Sequence, residues 1–144
     1  INCPGTVPAG ILVNDLVDFS DFLPTIADIT NAKLPKVKLD GRSFWPQCKG
    51  KQGNPRKYIF QYYYPKFKPA AEKHGQGVNG LEIVWAQNQR HKLYRDGTLY
   101  ALSDRMEENP IKSGVGTTAE IDRKLLQEAI DLMPKKAAKL NPVK

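Results

Sequence analysis

The residues best suited to chemistry in this sequence are concentrated in one loop. Residues 65–80 read PKFKPAAEKHGQGVNG and include Lys66, Lys68, Lys73 and His74. Loops longer than about a dozen residues are often functional or disordered, and clustered positive side chains suit an anionic ligand. The residues alone leave two interpretations open: a loop that binds an anion, or a surface insertion without a ligand.

The histidines and cysteines do not form a metal or nucleophile motif. His74 and His91 are 17 residues apart on different predicted elements, and Cys3 and Cys48 are 45 residues apart. A zinc site needs several such ligands at short spacing, and the sequence contains no G-x-S-x-G elbow and no phosphate-binding glycine loop. We expect buried free thiols, with a disulfide as the alternative.

Three carboxylates recur at every third position: Asp15, Asp18 and Asp21. The spacing resembles a ligand cluster, but the residues stand directly before a predicted helix. Side-chain oxygens there accept hydrogen bonds from free backbone N–H groups, and negative charge is favoured by the helix dipole. We therefore interpret them as helix caps and solvated first-turn charges.

The net charge of +7 does not indicate nucleic-acid binding. Four lysines lie in the last eleven residues, PKKAAKLNPVK, so more than half of the net charge belongs to this tail, residues 135–144, which we expect to be disordered. No run of 18 apolar residues and no signal-peptide pattern is present, which argues against a membrane partner. The chain opens without Met, which predicts a piece of a longer protein.

The N-terminal third contains an apolar helix that needs a large partner surface. The helix is predicted to start near Asp18 and to end at Asn31, a residue that tolerates the left-handed conformation of a helix end. Its apolar positions Phe22, Leu23 and Ile26, with Ala27 and Ile29, cover a wide arc. Burial on more than one side is expected, and the rest of the chain offers little to cover it.

The C-terminal two thirds predicts a small α+β unit. Aromatic and β-branched runs predict strands at residues 58–64, 81–87, 91–95 and 99–102, with a two-residue hairpin loop at Asp96 and Gly97. Tyr62 and its two tyrosine neighbours suit strand packing, with a stacking platform for a sugar or base as the alternative. Apolar residues at helical spacing predict a C-terminal helix from Thr117 to Met133.

The order of these pieces resembles the C-terminal part of a formylglycine-dependent sulfatase, of the arylsulfatase-like family in the alkaline phosphatase superfamily. The resemblance covers residues 1–133 and rests on six segments in order: PGTVPAG, LVDFSDFLPTIADITNAKLP, LDGRSFWPQCKG, NPRKYIFQYY, QRHKLYRDGTLYALSD and ENPI. It implies an α+β subdomain, a four-stranded antiparallel sheet with a C-terminal helix, at residues 51–134. Residues 1–50 would be an incomplete strand–helix piece, the end of the larger sulfatase α/β domain.

The resemblance also implies a chemistry, whose residues would lie upstream of this chain. Such enzymes hydrolyse sulfuric esters with a formylglycine, made from Cys or Ser in a C-x-P-x-R or similar motif, and with a calcium ion. Cys3 is followed by PGTV and Cys48 by KGKQ, so neither fits the motif. The resemblance therefore predicts a chain that is inactive alone and holds no cofactor, whereas the parent enzyme needs calcium and formylglycine.

In this family, loops of the small sheet often border the sulfated substrate, which makes Lys73, His74 and Arg90 the candidate substrate-binding residues. The implied partners are the upstream catalytic domain and a sulfated small molecule or glycan, with self-association through the exposed helix. The parent enzyme would be periplasmic or secreted. One alternative is an independent α+β module that binds an anionic glycan or polyanion, and another is a different metal-dependent hydrolase of the same superfamily.

Overall fold

A computed structural model of the chain describes residues 1–63, 83–103, 107–112 and 117–132. It divides into two compact units, Ile1–Ile59 and Phe60–Lys144. The predicted domain limits at residues 50 and 134 stay predictions. In the described part of the chain, no helix is long and apolar enough to cross a membrane.

The first unit is built around one capped helix. A single 3-10 turn, Phe19–Asp21, leads into helix α1, Phe22–Thr30. Asp18 accepts a hydrogen bond from the Ser20 N–H at 2.9 Å, and Asp21 accepts one from the Asp18 N–H at 2.8 Å, a reciprocal capping box. The helix ends as predicted at Asn31, which has a left-handed φ of 55°.

The segment after α1 folds back onto the start of the helix. Gly41 lies so close to the preceding 3-10 turn that an added Cβ would be 1.9 Å from the Ser20 carbonyl oxygen. The Phe44 N–H donates to Thr25 Oγ1 at 3.1 Å, just before the short helix α2, Trp45–Cys48. The buried Trp45 ring of α2 anchors this segment.

The second unit contains a five-stranded antiparallel sheet in the order β1-β2-β3-β4-β5. The strands are β1 Ile59–Tyr63, β2 Ile83–Gln87, β3 His91–Tyr94, β4 Leu99–Leu102 and β5 Glu108–Pro110. Helix α3, Thr117–Asp131, packs on β2 and β3. The predicted α+β class and the C-terminal helix are confirmed.

Two details of the predicted sheet were wrong. The sheet has five strands rather than four, because the short β5 pairs with β4 in the register Leu102↔Glu108 and Tyr100↔Pro110. The β3–β4 loop has three residues rather than two, because the Tyr94 N–H bonds the Thr98 carbonyl and only Gly97, at φ 88°, has a positive φ.

The core of the second unit lies between one face of the sheet and α3. Side chains alternate across a strand, so every second residue of β2 and β3 faces the helix. The buried apolar residues of this layer are Val84, Ala86, Leu93 and Leu99 from the strands and Leu126, Ala129 and Ile130 from α3. The helix is therefore fixed over the centre of the sheet.

Candidate functional site

Arg90 is the one predicted substrate-binding residue that falls in the described part of the chain. It lies in the turn between β2 and β3. Lys73 and His74 lie outside the described residues, so their predicted role stays a prediction. The loop at residues 65–80 is outside the described part as well.

The turn that carries Arg90 is held by a buried asparagine. Asn88 Oδ1 accepts hydrogen bonds from the Arg90 N–H at 2.9 Å and from the His91 N–H at 2.8 Å. The Asn88 N–H donates to the His91 carbonyl at 3.0 Å. These bonds fix the backbone on both sides of the arginine.

The Asp122 carboxylate of α3 contacts two side chains of this turn. Asp122 accepts hydrogen bonds from Arg90 Nε at 3.0 Å and Nη2 at 2.8 Å. His91 Nδ1 lies 2.7 Å from the same carboxylate. The Asp122 side chain is 3% exposed, whereas that of Arg90 is 61% exposed. The cluster therefore has a buried anionic centre and a cationic side chain at the surface.

The electrostatics of this cluster favour its charged form. Hydrogen bonding from Arg90 lowers the pKa of Asp122 well below its usual range, and bonds with Asn88 and His91 act in the same direction against the effect of burial. The Asp122 carboxylate in turn raises the pKa of Arg90. Asp122 is thus ionised throughout the neutral range.

Sequence reasoning missed Asp122, although a signal was present. Asp122 is spaced at four, seven and eight residues from Leu126, Ala129 and Ile130, which form the buried stripe of α3. A carboxylate on the apolar stripe of a helix must find a cation or several donors, because burying a lone charge is costly. That argument predicts a buried ion pair but does not name Arg90 as the partner.

A second buried carboxylate, Asp21, organises the first unit. It binds the Arg56 guanidinium through both oxygens and also accepts from the Arg42 N–H at 2.8 Å. Burial raises the pKa of Asp21, but hydrogen bonds from Arg56 and from the backbone N–H groups of Asp18 and Arg42 outweigh it and lower that pKa. The interpretation of Asp18 and Asp21 as caps is confirmed by their capping box, but Asp21 is buried rather than solvated.

The sheet face opposite α3 carries aromatic rings around a lysine. Trp85 is directly opposite Tyr94 in the register, and the Lys92 ammonium lies 4.5 Å and 4.8 Å from these two ring centroids. Lys92 donates to the Glu108 carboxylate, which also accepts from the Tyr94 hydroxyl at 3.0 Å. The ring faces are thus covered by the protein's own cation, an arrangement that stabilises neighbouring strands.

The first unit has a cavity of about 630 Å³. Its wall is mostly apolar and includes both half-buried cysteines, Cys3 and Cys48, which are free thiols. Gln47 also lines it, but its unpaired Oε1 is buried against Gly53 and is not reached from the cavity. Within the described ranges, no group of three or more His, Cys, Asp and Glu residues could hold a metal ion.

One face of α1 is exposed and apolar. Phe22, Leu23, Ile26 and Ile29 are 47%, 52%, 56% and 48% exposed, and Phe19 before the helix is 87% exposed. The other side of the helix is buried at Pro24, Thr25 and Ala27. Large contiguous apolar patches on a protein surface usually mark an interaction site.

This chain is similar in sequence to parts of two sulfatases. The chain is 36% identical over 64 residues to "Arylsulfatase A" of Homo sapiens, a match that covers 44% of this chain and 12% of that protein. It is 27% identical over 92 residues to an "Ulvan-active sulfatase" of Formosa agariphila, covering 64% of this chain and 16% of that protein. No protein-family model matches.

A solved structure with a similar backbone is a phosphonate monoester hydrolase from Silicibacter pomeroyi. It is 20% identical, with a TM-score of 0.47 over 78% of this chain and 25% of that chain. The two sulfatases match in sequence, and the α+β subdomain has the expected helix. The resemblance of this chain to the C-terminal part of a sulfatase is therefore confirmed.

Proposed function

We propose that this chain is the C-terminal portion of a sulfatase, an enzyme that hydrolyses sulfuric esters. The observation that carries the proposal is the sequence similarity to two sulfatases from unrelated organisms. Because the matches span only 12% and 16% of those proteins, hydrolysis is assigned to the whole protein and not to these 144 residues.

The first unit, in this proposal, is the end of the larger α/β domain and packs against the upstream catalytic domain. The support is the exposed apolar face of α1, where Phe22, Leu23, Ile26 and Ile29 are each about half exposed. Burying apolar surface contributes about 25 cal/mol per Å², so an uncovered face of this size favours association with another surface. The upstream domain is the proposed occupant.

Catalysis is assigned to residues upstream of this chain. A formylglycine would supply the nucleophile and a calcium ion would neutralise the sulfate oxygens. The residues present do not fit either group: Cys3 and Cys48 lack the C-x-P-x-R context, and the described ranges hold no ligand cluster for a metal. No catalytic step is therefore assigned to this chain, and we expect it to be inactive alone.

The contribution of this chain is proposed to be contact with the substrate, a sulfated small molecule or glycan. Lys73, His74 and Arg90 are the proposed contact residues. For Arg90 the support is an exposed guanidinium on a fixed turn. The parent enzyme is proposed to act in the periplasm or outside the cell.

The test is the activity of the complete protein. The sequence upstream of Ile1 should encode a C-x-P-x-R or similar motif, and the complete protein should release sulfate from an aryl sulfate or a sulfated glycan. The 144-residue chain should release none under the same conditions. A complete protein without the motif and without sulfatase activity contradicts the proposal.

An independent α+β module that binds an anionic glycan or polyanion is the second candidate. The observation in its favour is that the second unit has a core of its own between the sheet and α3. In this case residues 60–144 alone should unfold cooperatively and bind a sulfated glycan with an affinity that falls as salt rises. Failure of residues 60–144 to fold alone would remove this candidate.

A further inference from the structure

Asp21–Arg56 and Asp122–Arg90 are both buried-carboxylate ion pairs, but their guanidinium groups differ in how far they are exposed to a ligand. Arg56 gives Nε and Nη2 to Asp21, and its Nη2 also contacts Ser20 Oγ at 2.9 Å and the Asp40 carbonyl at 3.0 Å. The Arg56 side chain is 11% exposed. The Arg56 guanidinium is therefore too buried and too fully paired to bind a ligand.

The guanidinium of Arg90, in contrast, has one edge that is exposed and without a partner in the described part of the chain. A guanidinium has two edges that match a planar pair of oxygens, Nε with Nη2 and Nη1 with Nη2. Asp122 occupies the first edge of Arg90, at 3.0 Å and 2.8 Å. In the described part of the chain, Arg90 Nη1 has no partner, and 61% of the side chain is exposed.

The open edge is also held in place. Asn88 Oδ1 accepts from the Arg90 N–H at 2.9 Å, and the Arg90 carbonyl accepts from the Leu102 N–H at 2.8 Å. Asp122, itself buried, fixes the far end of the side chain. A cation that is fixed before a ligand arrives loses less conformational entropy on binding than a free surface arginine.

We propose that the Nη1/Nη2 edge of Arg90 binds a sulfo group and that Asp122 is the positioning residue that aims this edge. The inference rests on the proposed function, which supplies a sulfated ligand. The recognised chemistry is a tetrahedral sulfo oxygen pair, and it is shared by a sulfate ester and by free sulfate. Asp122 acts through Arg90 and does not touch the ligand.

The test is a binding titration of the 144-residue chain with two probes, a sulfated oligosaccharide and inorganic sulfate, followed by the NMR signal of arginine Nε–H groups. The Arg90 signal should shift with the probe. Arg90→Ala should weaken binding by about tenfold, because a charge-assisted pair contributes about 1.5 kcal/mol or more. Binding of the oligosaccharide alone assigns the edge to the ester, and binding of both probes at similar affinity assigns it to any sulfo group.

The role of Asp122 is tested by a double-mutant cycle. Asp122→Asn should weaken binding several-fold when Arg90 is present and should have no further effect in the Arg90→Ala background, because the effect passes through Arg90. If Asp122→Asn unfolds the chain, Asp122→Glu takes its place, since it keeps the charge but moves the oxygens. Equal losses in both backgrounds would overturn the positioning role.

Asp21→Asn is the matched control. It disturbs the other buried pair, whose arginine is closed, so binding of both probes should be unchanged. A loss of binding equal to that of Asp122→Asn would show a general effect of stability and would overturn the inference. The outcome is separate from the proposed function: an Arg90 without effect on binding refutes this inference, whereas sulfatase activity of the complete protein is measured independently.

Discussion

Asp21 is a single residue that joins the start of its own helix to two distant parts of the first unit. Its carboxylate accepts from the Asp18 N–H, from the Arg42 N–H and from the Arg56 guanidinium. Each of these donors stands in a different segment of the chain, and the carboxylate itself is 2% exposed. Removing one member of a buried ion pair is costly because the other charged group is left buried without a partner or water.

Asp21→Ala is therefore expected to lower the free energy of unfolding by about 3 kcal/mol. Urea unfolding followed by Trp45 fluorescence, in a Trp85→Phe background, measures the loss in the first unit. Asp28→Ala is the control: its carboxylate accepts from Ser43 Oγ at the surface, so the cost should stay under about 1 kcal/mol. An equal loss of unfolding free energy in both variants would contradict the role of Asp21 in joining these segments.

Acid should destabilise the chain through Asp21 and Asp122, the two buried aspartates among the described residues. The pKa values of Asp21 and Asp122 are lowered in the folded protein, so each contributes stability that is present above the pKa of the unfolded state, about 4 for Asp. That stability is lost as pH falls below this value towards the folded pKa. Urea unfolding between pH 2 and 7 should show this loss. Asp122→Asn should reduce the slope of the free energy of unfolding against pH. An unchanged slope in Asp122→Asn would count against the ion pair.

At this scale, local contacts were predictable and distant ones were not. The cap at Asp18 follows from its position just before a helix, because its partners are two and three residues away. The partner of Asp21 is 35 residues away and that of Asp122 is 32 residues away. Sequence spacing does not determine which cation meets a buried carboxylate across such separations.

Helix α1 ends at a residue whose backbone is strained for most side chains. Asn31 has a φ of 55°, a conformation that glycine adopts without cost. Asn31→Gly should raise the free energy of unfolding by about 0.5 kcal/mol, and Asn31→Ile should lower it by about 1 kcal/mol or more. Ala27→Gly, inside the helix, should be destabilising by about 1 kcal/mol. Urea denaturation measures all three, and stabilisation by Asn31→Ile would refute the argument.

Helix α3 is held by its buried stripe and offers a matched pair of leucines. Leu126 is 0% exposed against the sheet, whereas Leu132, just after the helix, is 75% exposed. Leu126→Ala should cost about 3 kcal/mol or more because it leaves a cavity. Leu132→Ala should cost less than about 0.5 kcal/mol. Thermal unfolding of the two variants makes the comparison, and similar melting temperatures would contradict the packing of α3.

The strands show which element signals are readable. The β3–β4 hairpin was predicted because Asp96 and Gly97 mark a turn between two alternating runs. Strand β5, Glu108–Pro110, was read as a loop because it is short, polar and ends in proline. Proline lacks an N–H but fits an edge strand, and the pairing comes from β4 rather than from its own sequence.

At the scale of the whole molecule, we expect the exposed apolar face of α1 to control self-association. Isolated from an upstream domain, this face should bring copies of the chain together, because burial of apolar surface is favourable. Leu23→Lys with Ile26→Lys should shift sedimentation towards the monomer. Ile121→Lys is the control, since Ile121 is 64% exposed but lies on α3 rather than on α1. A wild-type chain that is already monomeric at high concentration would contradict this expectation.

The sequence supported the class of the molecule better than its contacts. Six segments in order predicted the sulfatase resemblance, and the similarity to two sulfatases confirms it. Periodicity predicted α1, α3 and the α+β sheet, since these depend on local spacing. The proposed partner of α1 is not encoded in its periodicity, because an apolar face specifies burial but not the surface that covers it.

Gly41 limits which substitutions this sequence can accept during evolution. Any side chain there would overlap the main chain at Ser20, so the position is closed to nineteen of the twenty amino acids for as long as that turn is kept. Among proteins that share this architecture, position 41 should vary less than the aspartates and arginines around it. A lineage that replaced it would have to reroute the backbone first, and would lose the Arg42 bond to Asp21 in doing so.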